Sequence, residues 1–194
     1  MTKKAGVNQM LKKLLDGNQR CSACEPQHPR QDARRRKELT KGQKPFAVVV
    51  GCSDSRIAPE IIFDQGLGDI FVVRVAGNIV DNVALGSIEY AVEHLGCKLV
   101  VVLGHGKCGA VTAAIEGGEA PGHIEAVLKP IRPAIRKAQK LDGDLVDNAI
   151  RCNVDLVAKK IKTAKPILSE MVEKGEVEVI PAYYDINTGK VDIL

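Results

Sequence analysis

The chain has no tryptophan and only three phenylalanines and three tyrosines in 194 residues. A surface that stacks on unpaired bases needs aromatics, and its basic charge is usually larger than the +4 found here. Nucleic acid is therefore not an expected partner. Long apolar runs are also missing. Stretches such as Leu99 to Leu103 fall far short of the ~20 residues that span a bilayer, so no membrane association is expected. Met1-Thr2-Lys3-Lys4 is not followed by an apolar stretch, which argues against a secretory signal and for a cytoplasmic protein. Repeats and low-complexity segments are absent as well. The basic excess gathers at Arg30 and Arg34-Arg35-Arg36-Lys37 and reads as a solvated face or a subunit contact.

Apolar residues make up 45% of the chain, enough for one packed domain. Val7, Met10, Leu11, Leu14 and Leu15 follow helical spacing over 7–20, with Gly17-Asn18 expected to fray the end. A polar stretch from Cys21 to about Lys44 reads as an arm that packs on something else. Residues 1–44 thus form a helical arm, with a plausible use in reaching a partner subunit, and 45–194 the α/β core of a single domain. Three continuous Val-rich runs, at 46–50, 70–75 and 99–103, have the look of strands buried on both faces. A fourth run spans 177–183, and Asn187-Thr188-Gly189 turns the chain into a last short strand at 190–193. Helices are predicted over 83–95, from Cys108, over 123–140 and 145–163, and from Pro166 to Lys174. Alternating strands and helices imply right-handed crossovers and a mostly parallel sheet flanked by helices. In such sheets functional groups gather beyond the C-terminal strand ends.

Two of those ends carry metal-ligand chemistry. The first strand runs into Gly51-Cys52-Ser53-Asp54-Ser55-Arg56, and the third into Gly104-His105-Gly106-Lys107-Cys108-Gly109. Cys52, His105 and Cys108 supply the three protein ligands of an open zinc site, and two thiolates neutralise the divalent ion. Cys108 falls at a predicted helix N-terminus, where the dipole favours its thiolate. Asp54 and Arg56 are two apart. Asp54 is either a fourth ligand that closes the site or a partner of Arg56 that leaves it open and orients a water. The second loop also matches the G-x-G-x-x-G of dinucleotide binding, but no strand-like run follows it within the required βαβ length. Cys21 and Cys24 with His28 form a further C-x-x-C cluster, for which a second metal site or a regulatory disulfide is conceivable. Cys97 and Cys152 read as small buried side chains.

Cys-Ser-Asp-Ser-Arg at 52–56, His-x-x-Cys at 105–108 and Arg-Val-Ala-Gly-Asn at 74–78 together resemble the signature of β-class carbonic anhydrases. The likeness extends over roughly residues 5–185. It implies four parallel strands with a fifth, antiparallel, at the edge, one Zn2+ per chain on Cys52, His105 and Cys108, and catalysis by an Asp54–Arg56 dyad. The implied reaction is the reversible hydration of carbon dioxide by hydroxide generated at the zinc. The plant-type, non-allosteric branch places Gln43, Phe71 and Tyr90 around the substrate, with His94 at a proton-shuttle position. An obligate dimer, alone or paired into a tetramer, is the implied assembly. The alternatives on the same residues are a carbon disulfide or carbonyl sulfide hydrolase and a non-enzymatic zinc-binding or thiol-sensing protein.

Overall fold

A computed structural model describes residues 3–194. Five strands form one sheet: β1 (Ala47–Gly51), β2 (Ile70–Arg74), β3 (Leu99–His105), β4 (Glu178–Tyr184) and β5 (Val191–Ile193). Their order is β2-β1-β3-β4-β5, with β1 to β4 mutually parallel and β5 antiparallel at the edge. The strand expectations hold to within two residues at each end. No helix among the described residues is long and apolar enough to cross a membrane.

Side-chain alternation along the strands explains why both sheet faces are apolar. Val48, Val50, Val100, Val102 and Val179 point to one face, where α4 (Asn82–Glu93), α7 (Leu145–Lys162) and α8 (Ile167–Glu173) cover them. Ala47, Val49, Leu99, Val101 and Leu103 point to the other, under α1 (Lys3–Ser22) and α3 (Pro59–Ile62). A third cluster lies beyond the C-terminal strand ends. It joins α5 (Gly109–Glu116) and α6 (Ile124–Ala138) to α7 and contains Cys52 and Cys108. α6 stays helical through Pro130 and Pro133, its buried face of Leu128, Ile131, Ala134 and Ile135 set in that cluster. Five strands alternating with covering helices need no metal to form a core of this kind.

The N-terminal region differs from its expectation in three ways. α1 does not fray at Gly17-Asn18 but continues to Ser22. It packs on its own sheet, with Leu14 fully buried. The polar arm also contains a helix, α2 (Ala33–Leu39), capped by Asp32 accepting from the Arg35 N–H. The arm is pinned by charge rather than by apolar burial, which is why hydropathy gave no sign of it. Arg30 pairs with Asp69, and Arg35 Nε donates to the Leu67 carbonyl at 2.9 Å. Asp64, with its side chain 1% exposed, accepts from Arg20 Nε at 2.7 Å and from the backbone N–H groups of Gln27 and His28 at 3.0 and 2.9 Å.

Gly17 and Asn18 make the docking of α1 possible. A Cβ at position 17 would lie 1.8 Å from the Phe63 carbonyl oxygen, so only glycine lets the helix sit this close. Asn18 bridges two elements: its Nδ2 donates to the Ile62 and Gly189 carbonyls, and its Oδ1 accepts from the Val191 N–H.

Helix propensity favours Gly17→Ala by about 1 kcal/mol, whereas the clash with Phe63 opposes it. We expect the clash to win and stability to fall by at least about 2 kcal/mol in urea denaturation; an unchanged or raised midpoint contradicts the packing. A second expectation concerns acid. Burial is the largest single influence on Asp64 and pushes its carboxyl up, but the Gln27 and His28 N–H groups and Arg20 together outweigh it and hold it below the usual range. Its stabilisation is therefore complete above the unfolded carboxylate value and is lost as pH falls through the lower, folded one. Asp64→Asn should cost about 2 kcal/mol at neutral pH, and this penalty should shrink below about pH 4. Parallel denaturation curves of the two proteins across that range test it.

Candidate metal centre

The strand order places a topological switch point between β1 and β3, because the chain leaves β1 toward β2 on one side and returns to β3 on the other. The loops after β1 and β3 therefore diverge and leave a crevice. Gly51 lies beside Leu103 in the register, so the residues just beyond, Cys52 and His105, face the same opening. Cys108 follows as the N-cap of α5. The three donor atoms of Cys52, His105 and Cys108 lie within 4.8 Å of one another, and all three residues are buried. They are the one group of three such donors among the described residues.

The chemistry of these donors fits a soft divalent cation. His105 is fully buried, and its Nδ1 sits 3.0 Å from the Gly106 carbonyl oxygen. A carbonyl only accepts, so Nδ1 carries the proton and Nε2 presents a lone pair. That Nε2 has no hydrogen-bond partner, an expensive arrangement for a buried nitrogen unless a ligand takes the lone pair. The two sulfurs are close neighbours. Their mutual interaction is the largest influence on both: it pushes Cys52 down to about 4, while Cys108, also raised by burial, keeps its proton. Cys52 Sγ also accepts from the Asp54 N–H at 3.4 Å and the Gly77 N–H at 3.2 Å. A thiolate, a thiol and an imidazole lone pair around one point match a zinc site with three protein ligands.

The Asp54 carboxylate stands beside this cluster, its Oδ2 4.0 Å from His105 Nε2 and beyond hydrogen-bond distance of it. Arg56 grips the carboxylate in a fork, Nε to Oδ1 at 2.9 Å and Nη2 to Oδ2 at 2.7 Å, and its backbone N–H adds a third bond to Oδ1. This pairing is the main reason the Asp54 carboxyl lies well below the usual carboxylate range. Arg56 Nη2 also donates to the Lys107 carbonyl, tying the two ligand loops together.

Several supporting residues were not singled out by sequence reasoning. Arg74 clamps the first loop through the Cys52 and Asp54 carbonyls at 2.9 and 2.7 Å. Gly77, in a 3-10 turn over Ala76–Asn78, supplies its N–H to Cys52 from a left-handed backbone with φ +66°. Both fall in the Arg74–Asn78 motif, so their location was legible though their contacts were not. Gly104 carries no ligand but adjoins His105. A Cβ there would meet Val154 Cγ2 at 2.3 Å, so α7 packs directly against the strand end that bears the imidazole.

Gln43, Phe71, Tyr90 and His94 lie elsewhere in the chain's own fold. Gln43 is exposed and precedes β1, whereas Cys52 follows it, with about 17 Å of strand between. Phe71 is beside Val48, near the start of the edge strand β2. α4 runs back from the end of β2, so Tyr90, 48% exposed, and His94 at its C-cap return to the sheet's opposite end. Their rings lie 5.2 Å apart. One protomer does not bring these four to the ligand cluster. Cys21 and Cys24 join no group of three metal donors among the described residues, and both are free thiols. Cys97 is buried as expected, but Cys152 is only half-buried. The G-x-G-x-x-G match opens α5, which leads to α6 and not to a strand, so the dinucleotide unit is absent.

A family model described as carbonic anhydrase matches residues 47–191. The chain is 42% identical over 186 residues to a carbonic anhydrase of Mycolicibacterium smegmatis, an alignment covering 94% of this chain and 90% of the relative. It is equally identical over 183 residues to carbonic anhydrase 2 of Mycobacterium tuberculosis, covering 92% and 88%. Among solved structures it resembles tetrameric β-carbonic anhydrases from Sordaria macrospora, with a TM-score of 0.75, 30% identity and coverage of 81% and 84%. A Coccomyxa β-carbonic anhydrase in complex with acetazolamide gives the same TM-score and identity, covering 81% and 75%.

The packing at Gly104 yields a direct expectation. Gly104→Ala must displace either Val154 or the strand end, so stability should fall by about 1–3 kcal/mol. Zinc retention against a competing chelator should weaken in step, because His105 moves with the strand. Retention equal to the parent protein contradicts this geometry.

Proposed function

The chain belongs to the β-carbonic anhydrases, enzymes that interconvert carbon dioxide and bicarbonate, and on that premise we propose how its own residues divide the work. The observation that carries the reading is the soft-donor cluster of Cys52, His105 and Cys108 with an Arg56-bound carboxylate at its rim. These three residues would hold one Zn2+ per chain. Bound there, the ion is a Lewis acid that lowers the pKa of a water toward about 7, making hydroxide available near neutral pH.

Asp54 governs that nucleophile. An ionised carboxylate only accepts, so Asp54 would take a hydrogen bond from a hydroxyl at the site and orient it toward the substrate carbon. Arg56 has two effects on Asp54. Its fork stabilises the ionised form, and its hold keeps the carboxylate oxygens from turning onto the metal donors. This is the open-site alternative of the two set out from the sequence.

The substrate pocket is completed by a second copy of the chain. In one protomer Gln43, Phe71 and Tyr90 lie toward the far end of the sheet, on the side of the free edge of β2. We assign Gln43 as donor to the oxygen on which charge develops, and Phe71 and Tyr90 as the walls that hold carbon dioxide. His94, one turn beyond Tyr90, then passes the proton to buffer. The tetrameric relatives from Sordaria macrospora support a dimer that pairs again. The arm of residues 1–44 and the core of 45–194 act as one domain in a cytoplasmic enzyme.

Stopped-flow hydration of carbon dioxide at mildly alkaline pH, on metal-analysed protein, tests the reading. A fast rate that requires zinc is expected. Asp54→Asn should lower kcat by about 100-fold or more with zinc content unchanged. A chain holding one zinc but showing no hydration overturns the proposal, and turnover of carbonyl sulfide or carbon disulfide instead would reassign the substrate.

A further inference from the structure

α7 buries an apolar face, Val154, Val157 and Ile161 on the sheet and Ala149 and Ile150 in the cluster beyond the strand ends, and one carboxamide interrupts it. Asn153 is only 2% exposed. An amide in that position costs stability unless it is bonded, and leucine would serve packing better. Its Nδ2 donates to the Gly77 carbonyl at 2.9 Å, across 76 residues of sequence. The same Gly77 donates its own N–H to Cys52 Sγ at 3.2 Å.

The segment so anchored has an uncommon backbone. Gly77 and Asn78 are consecutive left-handed residues, at φ +66° and +44°, a conformation that glycine adopts freely and that asparagine enters more readily than most side chains but still at some cost. Such a backbone persists only when its surroundings over-determine it. Ile131 Cδ1 and Ala110 Cβ wall in the Gly77 Cα, since a Cβ there would meet them at 2.7 and 3.2 Å. Asn153 supplies the polar restraint. Without it the 3-10 turn is free to relax and swing the Gly77 N–H off the sulfur.

We propose that Asn153 is a positioning residue for the metal centre: through Gly77 it aims a peptide N–H at Cys52 and so sets the donor strength of that thiolate. The inference rests on the metal reading of Cys52, His105 and Cys108. A hydrogen bond to a ligating thiolate withdraws charge from it, and partners of this outer kind are worth about 10–100-fold in metal affinity.

The test uses the full chain with cobalt in place of zinc, because the sulfur-to-cobalt charge-transfer band reports the thiolate directly. Asn153→Leu removes the donor at similar volume. The band is expected to move to lower energy as the sulfur regains charge, with metal affinity falling about tenfold in chelator competition. Val157→Ala, one turn further along α7, controls for lost packing and should destabilise the fold without moving the band. If Asn153→Leu fails to fold, Asn153→Ser carries the same test. A band in Asn153→Leu that coincides with the parent's overturns the proposal. A parent chain with no such band overturns the metal reading first, and the two failures are thereby told apart.

Discussion

Two sulfurs and one imidazole nitrogen face each other in a pocket where water scarcely reaches. Two peptide N–H groups reach the Cys52 sulfur, and His105 Nε2 has no hydrogen-bond partner at all. Everything near them serves to keep these groups together despite the cost. The sheet brings two loop origins to one opening, α5 begins on the second cysteine, and α6 and α7 seal the back with apolar side chains. The proximity of the two sulfurs favours one thiolate beside one thiol, which lowers Cys52 and raises Cys108. A divalent cation fills the place of the thiol proton and meets the His105 lone pair as well.

The outer arrangement is built from charge and not from apolar contact. Arg56 and Arg74 act in complementary ways on the first loop. One binds the Asp54 carboxylate, the other the backbone carbonyls on either side of Ser53. A loop held at side chain and backbone has little freedom left, and fixed polar groups of this kind need no reorganisation when charge develops beside them. Such restraint suits a small substrate without strong binding groups, for which alignment must come from the protein.

The central strands and most helices were legible because their signals are local: continuous Val-rich runs, helical spacing, and Gly96 after α4. The donor set was legible because Cys52, His105 and Cys108 sit at strand ends that periodicity alone can find. What stayed hidden depends on three-dimensional neighbours. Gly17 reads as a helix breaker until Phe63 is seen beneath it. α2 has no apolar stripe because ion pairs and caps hold its surroundings. Asn153 is one polar residue in a helix, and nothing in its sequence context points to Gly77. The family resemblance named Gln43, Phe71, Tyr90 and His94, but gave no hint that one protomer keeps them at the sheet's other end.

The bridge made by Asn18 orders events in time as well as space. It joins a residue near the start of the chain to Gly189 and Val191, 171 and 173 positions later. At about 5–20 residues per second, a ribosome needs roughly ten to thirty seconds to supply those partners. All three metal donors have emerged by about the middle of that interval, whereas Ile150 and Tyr183, which help wall them in, emerge later. During synthesis the thiols are therefore open to solvent, to oxidants and to metal ions, before the fold that selects among these exists.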